Sequence, residues 1–289
     1  MTPRDYFFYA LVVFGWSTSW YPLKLQLGVV APEVSLFWRF LAAACIMFVI
    51  TIIVRKPIRF ALRDHVRFML LGLCLFSANF ICFYYAGLHG ASGLLAVVFS
   101  TASLINVLML AALSRTLPRV THILAAVTGL TGVALLYLPE LRTSETAFLG
   151  LGLCLSGTLF FCSGNMVSSA AQKHKIPVIS ATSWGMAYGA LFLACFSMLR
   201  GQPFIIEMTP TYIVTLAWLV VISSVISFMC YLTLLGRIGP GRAGYATVVF
   251  PVFALLISTA FEGYQWSGYA FVGIGLVVTG NIIMARARS

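Results

Sequence analysis

VSLFWRFLAAACIMFVITIIV, residues 34–54, is followed at once by RKPIRFALRDHVR, residues 55–67. As a helix the first stretch is about 30 Å long, the thickness of a bilayer's hydrocarbon core, and its one charge is Arg39. The second stretch holds Arg55, Lys56, Arg59, Arg63 and Arg67. Basic clusters directly after an apolar span mark a cytoplasmic junction.

Outward from this point the same alternation fills the chain. Sixty-one per cent of the 289 residues are apolar and 9% are charged, more hydrocarbon than a soluble domain can bury. The predicted fold class is an all-α integral membrane protein of ten transmembrane helices: α1 6–24, α2 34–54, α3 66–88, α4 93–113, α5 121–138, α6 147–172, α7 178–199, α8 211–235, α9 243–262 and α10 268–285. The first run follows Arg4 but carries Trp16, Trp20 and Lys24 where a signal-peptide cleavage site needs small residues, so it is kept as a helix. All seven cysteines fall inside predicted helices, an arrangement for packing with no metal site or disulfide framework, and no cofactor is expected.

Charge orients the chain. Fourteen of the 18 Lys and Arg lie at one set of junctions: Arg4, the 55–67 cluster, Arg115, Arg119, Lys173, Lys175, Arg237, Arg242, Arg286 and Arg288. Lys24, Arg39, Arg142 and Arg200 lie toward the other side, with Glu33, Glu140, Glu145, Glu207 and Glu262. Both termini are therefore expected in the cytoplasm, and the net charge of +11 is a signal of topology, with no nucleic-acid partner implied.

The halves echo one another. Pro32-Glu33-Val34-Ser35 returns as Pro177-Val178-Ile179-Ser180, Phe80-Ile81-Cys82-Phe83 as Phe228-Met229-Cys230-Tyr231, and Gly93 with Val97-Val98-Phe99 as Gly244 with Val248-Val249-Phe250. Three ordered matches divide the chain into residues 1–140 and 141–289. Five helices per copy is an odd number, so the second repeat enters the membrane inverted. Inverted repeats place a site at their interface near the midplane, where alternating access operates.

These residues resemble the drug/metabolite transporter superfamily, specifically its EamA-type ten-helix exporters, over essentially the whole chain. The resemblance is carried by Gly15-Trp16-Ser17, Arg39-Phe40, Tyr84-Tyr85-Ala86, Phe250-Pro251-Val252-Phe253, and Glu262 with Gln265 and Gly268. Trp16-Ser17-Thr18 and the aromatic end of α3 look most like the YddG-type aromatic amino-acid exporters. α4 departs from the pattern, with Ser100 where α9 has Pro251. The resemblance implies a bacterial inner-membrane exporter, amino acids as solutes, a cavity enclosed by α1, α3, α4, α6, α8 and α9, and α5 and α10 at the periphery.

The candidate wall starts on α1, where Trp16 shares a face with Ser19 and Trp20, and on α3, where Phe76, Asn79, Phe80 and Phe83 share another. The repeat mates on α8 are Ser224, Ser227, Phe228 and Tyr231. α4 adds Phe99, Ser103 and Asn106, α6 adds Phe160, Ser163 and Asn165, and α9 adds Tyr245. Packing accounts for Trp16 equally well, and interhelical hydrogen bonding for Asn79, Ser224 and Ser227. Arg39, about 10 Å into the membrane, either pairs with Glu33 or Glu262, snorkels outward, or attracts a solute carboxylate. Pro251 is expected to kink α9, with Gly239, Gly241 and Gly244 completing a hinge, and Gly185-x-x-x-Gly189 in α7 to support close helix packing or dimerisation.

The expected partners are a small-molecule substrate and the lipid bilayer, with the chain a monomer or weak homo-oligomer. Export of amino acids is the first expectation, export of quaternary cations or drugs the alternative, aided by Glu262 and aromatic cages. A membrane-embedded enzyme is disfavoured by the lack of paired carboxylates, of Gly-x-Ser-x-Gly and of His-x-x-Glu-His. In intact cells, cysteines placed at Arg59 and Arg288 should react only with reagents admitted to the cytoplasm, and one at Arg142 from outside. Termini on opposite sides would overturn the ten-helix topology.

Overall fold

The computed structural model describes residues 2–117, 119–143, 145–243 and 246–286; Gly244, Tyr245 and Arg288 lie outside the described residues. All described elements are helical. α1 opens with a capping box. The Thr2 hydroxyl accepts from the Asp5 N–H, the Asp5 carboxylate accepts from the Thr2 N–H at 2.7 Å, and Pro3 takes the first-turn place where a missing N–H costs nothing.

α1 runs Pro3–Ser17, breaks, and resumes as Trp20–Leu25; α2 is Pro32–Ile53. α3 comprises Leu62–Leu73, a π-helical segment Cys74–Ala78, and Asn79–Gly87. α4 is split into Ser92–Phe99 and Ala102–Leu113; α5 is Val120–Thr143, α6 Ala147–Lys173 and α7 Val178–Leu199. α8 joins Pro210–Trp218, a π-helical Leu219–Ser227, and Phe228–Ala243; α9 is Ala246–Glu262 and α10 Gly268–Arg286. Among the described residues seven spans are long and apolar enough to cross a bilayer; α1, α9 and α10 are the shorter or interrupted ones. The architecture is ten helices in two inverted five-helix repeats.

The packing follows a pseudo-twofold relation in which each helix is exchanged with the one five places on. α2 packs on α7, α4 on α9 and α5 on α10, each pair being its own mate. α1 packs on α8 and α9, and correspondingly α6 packs on α3 and α4. The π segments of α3 and α8 occupy matching places, and each is tied by a serine hydroxyl to a carbonyl five residues back: Ser77 to Gly72 at 2.9 Å and Ser227 to Ile222 at 2.8 Å.

One expectation needs correction. α1 is not continuous: Ser17, Thr18 and Ser19 return their hydroxyls to the carbonyls of Val13, Phe14 and Gly15, and competition from such bonds weakens the helical ladder there. A break also occurs in α4, which has no proline at the matching place. Ser100 and Thr101 turn their hydroxyls onto Val97 and Val98, three residues back, while α9 runs through Pro251 as one helix. A hinge geometry does exist nearby, at Gly239, whose φ of 82° interrupts the last part of α8.

The glycine pair of α7 packs within the chain. A Cβ at Gly189 would stand 2.6 Å from Phe76 Cβ, and one at Gly72 of α3 would stand 2.7 Å from the Gly189 nitrogen. Gly189→Val should therefore destabilise the protein by roughly 1–3 kcal/mol through overpacking, seen as a lower Tm in detergent. Gly152→Ala, whose Cβ would meet nothing within 4 Å, should leave Tm essentially unchanged.

Candidate functional site

At the interface of the repeats lies a cavity of about 40 Å³, lined by Trp16, Ser19, Trp20 and Leu23 of α1, Arg39 of α2, Asn79, Phe80 and Phe83 of α3, Phe99 of α4, Phe161 of α6, Leu219, Ser223 and Phe228 of α8, and Phe250 of α9. This is room for one or two waters, against about 300–1,000 Å³ for a ligand pocket, so the walls are closed on one another. Trp16 is the hub. Its ring meets Tyr231 at 4.8 Å, Phe228 at 5.3 Å, Phe161 at 5.8 Å, Phe250 at 5.9 Å and Phe99 at 6.2 Å, mostly edge to face. Trp20 extends the wall to Phe83 at 5.4 Å. Each such pair contributes about 0.5–1.5 kcal/mol beyond the area it buries.

One side of this cavity is polar. Arg39 pairs with neither Glu33 nor Glu262 and does not snorkel; it is 1% exposed. Its guanidinium donates to Ser224 Oγ at 2.9 Å, Ser223 Oγ at 3.0 Å and Tyr84 Oη at 3.5 Å, and lies 4.5 Å from the Phe80 ring centroid. The π-helical stretch of α8 is what turns two successive serines toward one guanidinium. Among the described residues the ion pairs are those of Arg67, Arg200 and Arg237, so Arg39 carries no carboxylate partner there. Asn79, also 1% exposed, brings its amide to the same cavity.

Both ends are latched. On the side expected outside, Glu33 pairs with Arg200 at 3.5 Å and accepts from Tyr85 at 2.8 Å, while Lys24 donates to the carbonyls of Gly87 and Gly90. Glu262 accepts from the Ser92 N–H and hydroxyl, joining the end of α9 to the start of α4. On the basic side Asp5 pairs with Arg237 at 2.6 Å. The Thr2 N–H and the Arg237 guanidinium hold the Asp5 carboxyl at about 2, so the pair stays ionised at physiological pH.

A second space of about 680 Å³ opens at the basic end between α4, α6 and α8, lined among others by Leu110, Ser114, Ser169, Lys173 and Leu235. One turn nearer the centre on each of these helices stand Asn106, Asn165 and Tyr231. Asn165 Nδ2 donates to the Tyr231 hydroxyl at 2.9 Å and to Asn106 Oδ1 at 3.3 Å. This hydrogen-bonded plug meets the aromatic cavity through Tyr231, whose ring packs on Trp16.

Several predicted wall residues lie elsewhere. Ser103 bonds Asn281 and ties α4 to α10. Ser163 returns its hydroxyl to Leu159 on the outer side of α6, and Phe160 is likewise outward; Phe161 is the inward residue. Ser227 closes the π-turn onto Ile222 and packs where a Cβ on Gly15 would stand. Tyr231 stands behind Trp16 in the plug, and Tyr245 lies outside the described residues. Phe161, Leu219 and Ser223 were not anticipated. Phe161 was findable from the Cys154-Gly157-Phe161-Asn165 stripe at helical spacing; Leu219 and Ser223 were not, because a π segment shifts the facing residues away from α-helical periodicity.

A family model described as the EamA-like transporter family matches residues 4–138 and again residues 148–286. A solved crystal structure superposes over 100% of both chains with a TM-score of 0.71 at 16% sequence identity, a likeness of fold alone. No curated protein matches the chain.

Tyr231→Phe would remove one hydrogen bond of the plug, about 1 kcal/mol, and keep the ring beside Trp16. A cysteine in place of Ser19 should then react several-fold faster with a thiol reagent admitted from the vestibule side. An unchanged rate would show that the plug does not control access.

Proposed function

The chain belongs to the EamA-like transporter family, and from that premise we propose that this membrane transporter of small solutes exports amino acids, aromatic ones among them, by alternating access across a bacterial inner membrane. The termini are placed in the cytoplasm by the charge pattern, and the two repeats, divided near residue 140, exchange conformations about the cavity. The solute is engaged by Trp16, Trp20, Phe83 and Phe99 with Ser19, Asn79 and Arg39. Tyr231 acts from the plug, and Glu262 and the Pro251 helix take part in closure at the outer end.

The observation that carries this reading is the cavity itself, in which aromatic rings from both repeats face a short polar side. Flat apolar side chains suit such walls, and a polar head suits the remainder. Export of YddG-type solutes is favoured over quaternary cations because the charged member of the wall is Arg39, whereas the carboxylate of Glu262 is engaged by Ser92. The match to a family of transporters favours carriage of a solute over an embedded enzyme.

In liposomes offered labelled amino acids, quaternary cations and sugar phosphates, aromatic amino acids should be moved best. Trp16→Ala should lower their transport roughly tenfold more than that of small amino acids, since the lost apolar contact scales with solute area. Preference for a cation or a phosphate, or an unaltered profile in the variant, would refute this assignment.

A further inference from the structure

Arg39 presents an unusual balance for a residue at membrane depth. Neutral hydroxyls from Ser223, Ser224 and Tyr84 satisfy three of its five N–H donors but none of its charge. A buried guanidinium without a counter-ion is costly, and a guanidinium matches a carboxylate in shape as well as sign. Asn79 supplies the complementary half. Asn79 lines the same cavity, and its amide oxygen is buried with no hydrogen-bond partner among the described residues. An unpartnered buried acceptor is satisfied by an N–H donor, and a carboxylate cannot provide one.

Resting on the reading of the central cavity as the solute site, we propose that Arg39 and Asn79 form a two-point receptor for the α-carboxylate and α-ammonium groups of an amino acid. The side chain then lies against Trp16, Trp20 and Phe99, whose rings already close that part of the cavity. The lining contains no carboxylate, so a solute with only a positive charge meets Arg39 unopposed, whereas a zwitterion matches both polar groups. Selection is thus by headgroup as well as by side chain. Both residues belong to the first repeat: Arg39 is held by Ser223 and Ser224 of α8 and by Tyr84 of α3, and Asn79 directly follows the π segment of α3.

The test uses the whole purified protein and three probes that share one ring: L-phenylalanine, phenethylamine without the carboxylate, and 3-phenylpropionate without the ammonium. Binding is read from the tryptophan fluorescence of the protein, and transport from liposome competition. Each single-ended probe should bind at least about tenfold more weakly than phenylalanine, the loss expected for one charge-assisted hydrogen bond. In Arg39→Gln the advantage of phenylalanine over phenethylamine should vanish; in Asn79→Ala its advantage over 3-phenylpropionate should vanish.

Phenethylamine competing as well as phenylalanine in the unaltered protein would overturn the Arg39 assignment, and 3-phenylpropionate doing so would overturn that of Asn79. These comparisons need no variant, so a misfolded substitution does not decide the outcome. Transport of no amino acid, with 3-phenylpropionate still bound, would refute the proposed function while sustaining the carboxylate site. Amino-acid transport with no discrimination among the three probes would do the reverse.

Discussion

A backbone amide or carbonyl left unpaired in hydrocarbon costs several kcal/mol, so a chain inside a bilayer can interrupt its helices only where protein shields the interruption. The irregular places in this transporter obey that constraint together. The break after Ser17, the break after Phe99, and the π segments at Cys74–Ala78 and Leu219–Ser227 all flank the central cavity. At each, serine or threonine hydroxyls occupy carbonyls that the regular ladder would otherwise serve. The helix irregularities thus gather beside the cavity, where the rings of both repeats converge, and Gly239 adds one nearer the basic end.

The same low-polarity surroundings raise the stakes of charge. Arg39 is buried among hydroxyls and aromatic faces, while three carboxylates near the ends have partners: Glu33 with Arg200 and Tyr85, Glu262 with Ser92, Asp5 with Arg237. Those contacts tie neighbouring helix ends together. The centre is left with a positive charge and an amide acceptor, the two groups that the proposed receptor sets against a solute's ends. In the same proposal the rings around Trp16 meet the solute's body, so the two effects act on different parts of one molecule.

The pseudo-twofold relation is obeyed by the helix pairs more closely than by the closures. Tyr231 of the plug corresponds in the repeat to Phe83, which lacks the hydroxyl and packs on Trp20 and Phe99. One end is thus sealed by an Asn–Asn–Tyr hydrogen-bonded plug beneath an open vestibule, the other by aromatic contact reinforced with ion pairs. Two copies of one scaffold have been given chemically different seals, so their opening need not respond alike to the same solute.

Apolar length, the basic junctions and the spaced repeat determined the membrane class, the ten-helix inverted architecture and the family resemblance from the sequence alone, because these depend on composition and order along the chain. The sequence also pointed to Trp16, Ser19, Trp20, Asn79, Phe83 and Phe99, whose helical spacing places them on inward faces. Only the tertiary structure decided that Ser103, Ser163 and Ser227 serve helix contacts, that Phe161 and Ser223 face the cavity, and that Arg39 is free of Glu33 and Glu262. The reason is physical: a hydroxyl can satisfy its own helix or a neighbour, a π segment changes which residues share a face, and a cation's partner is fixed by distances between helices that periodicity does not encode.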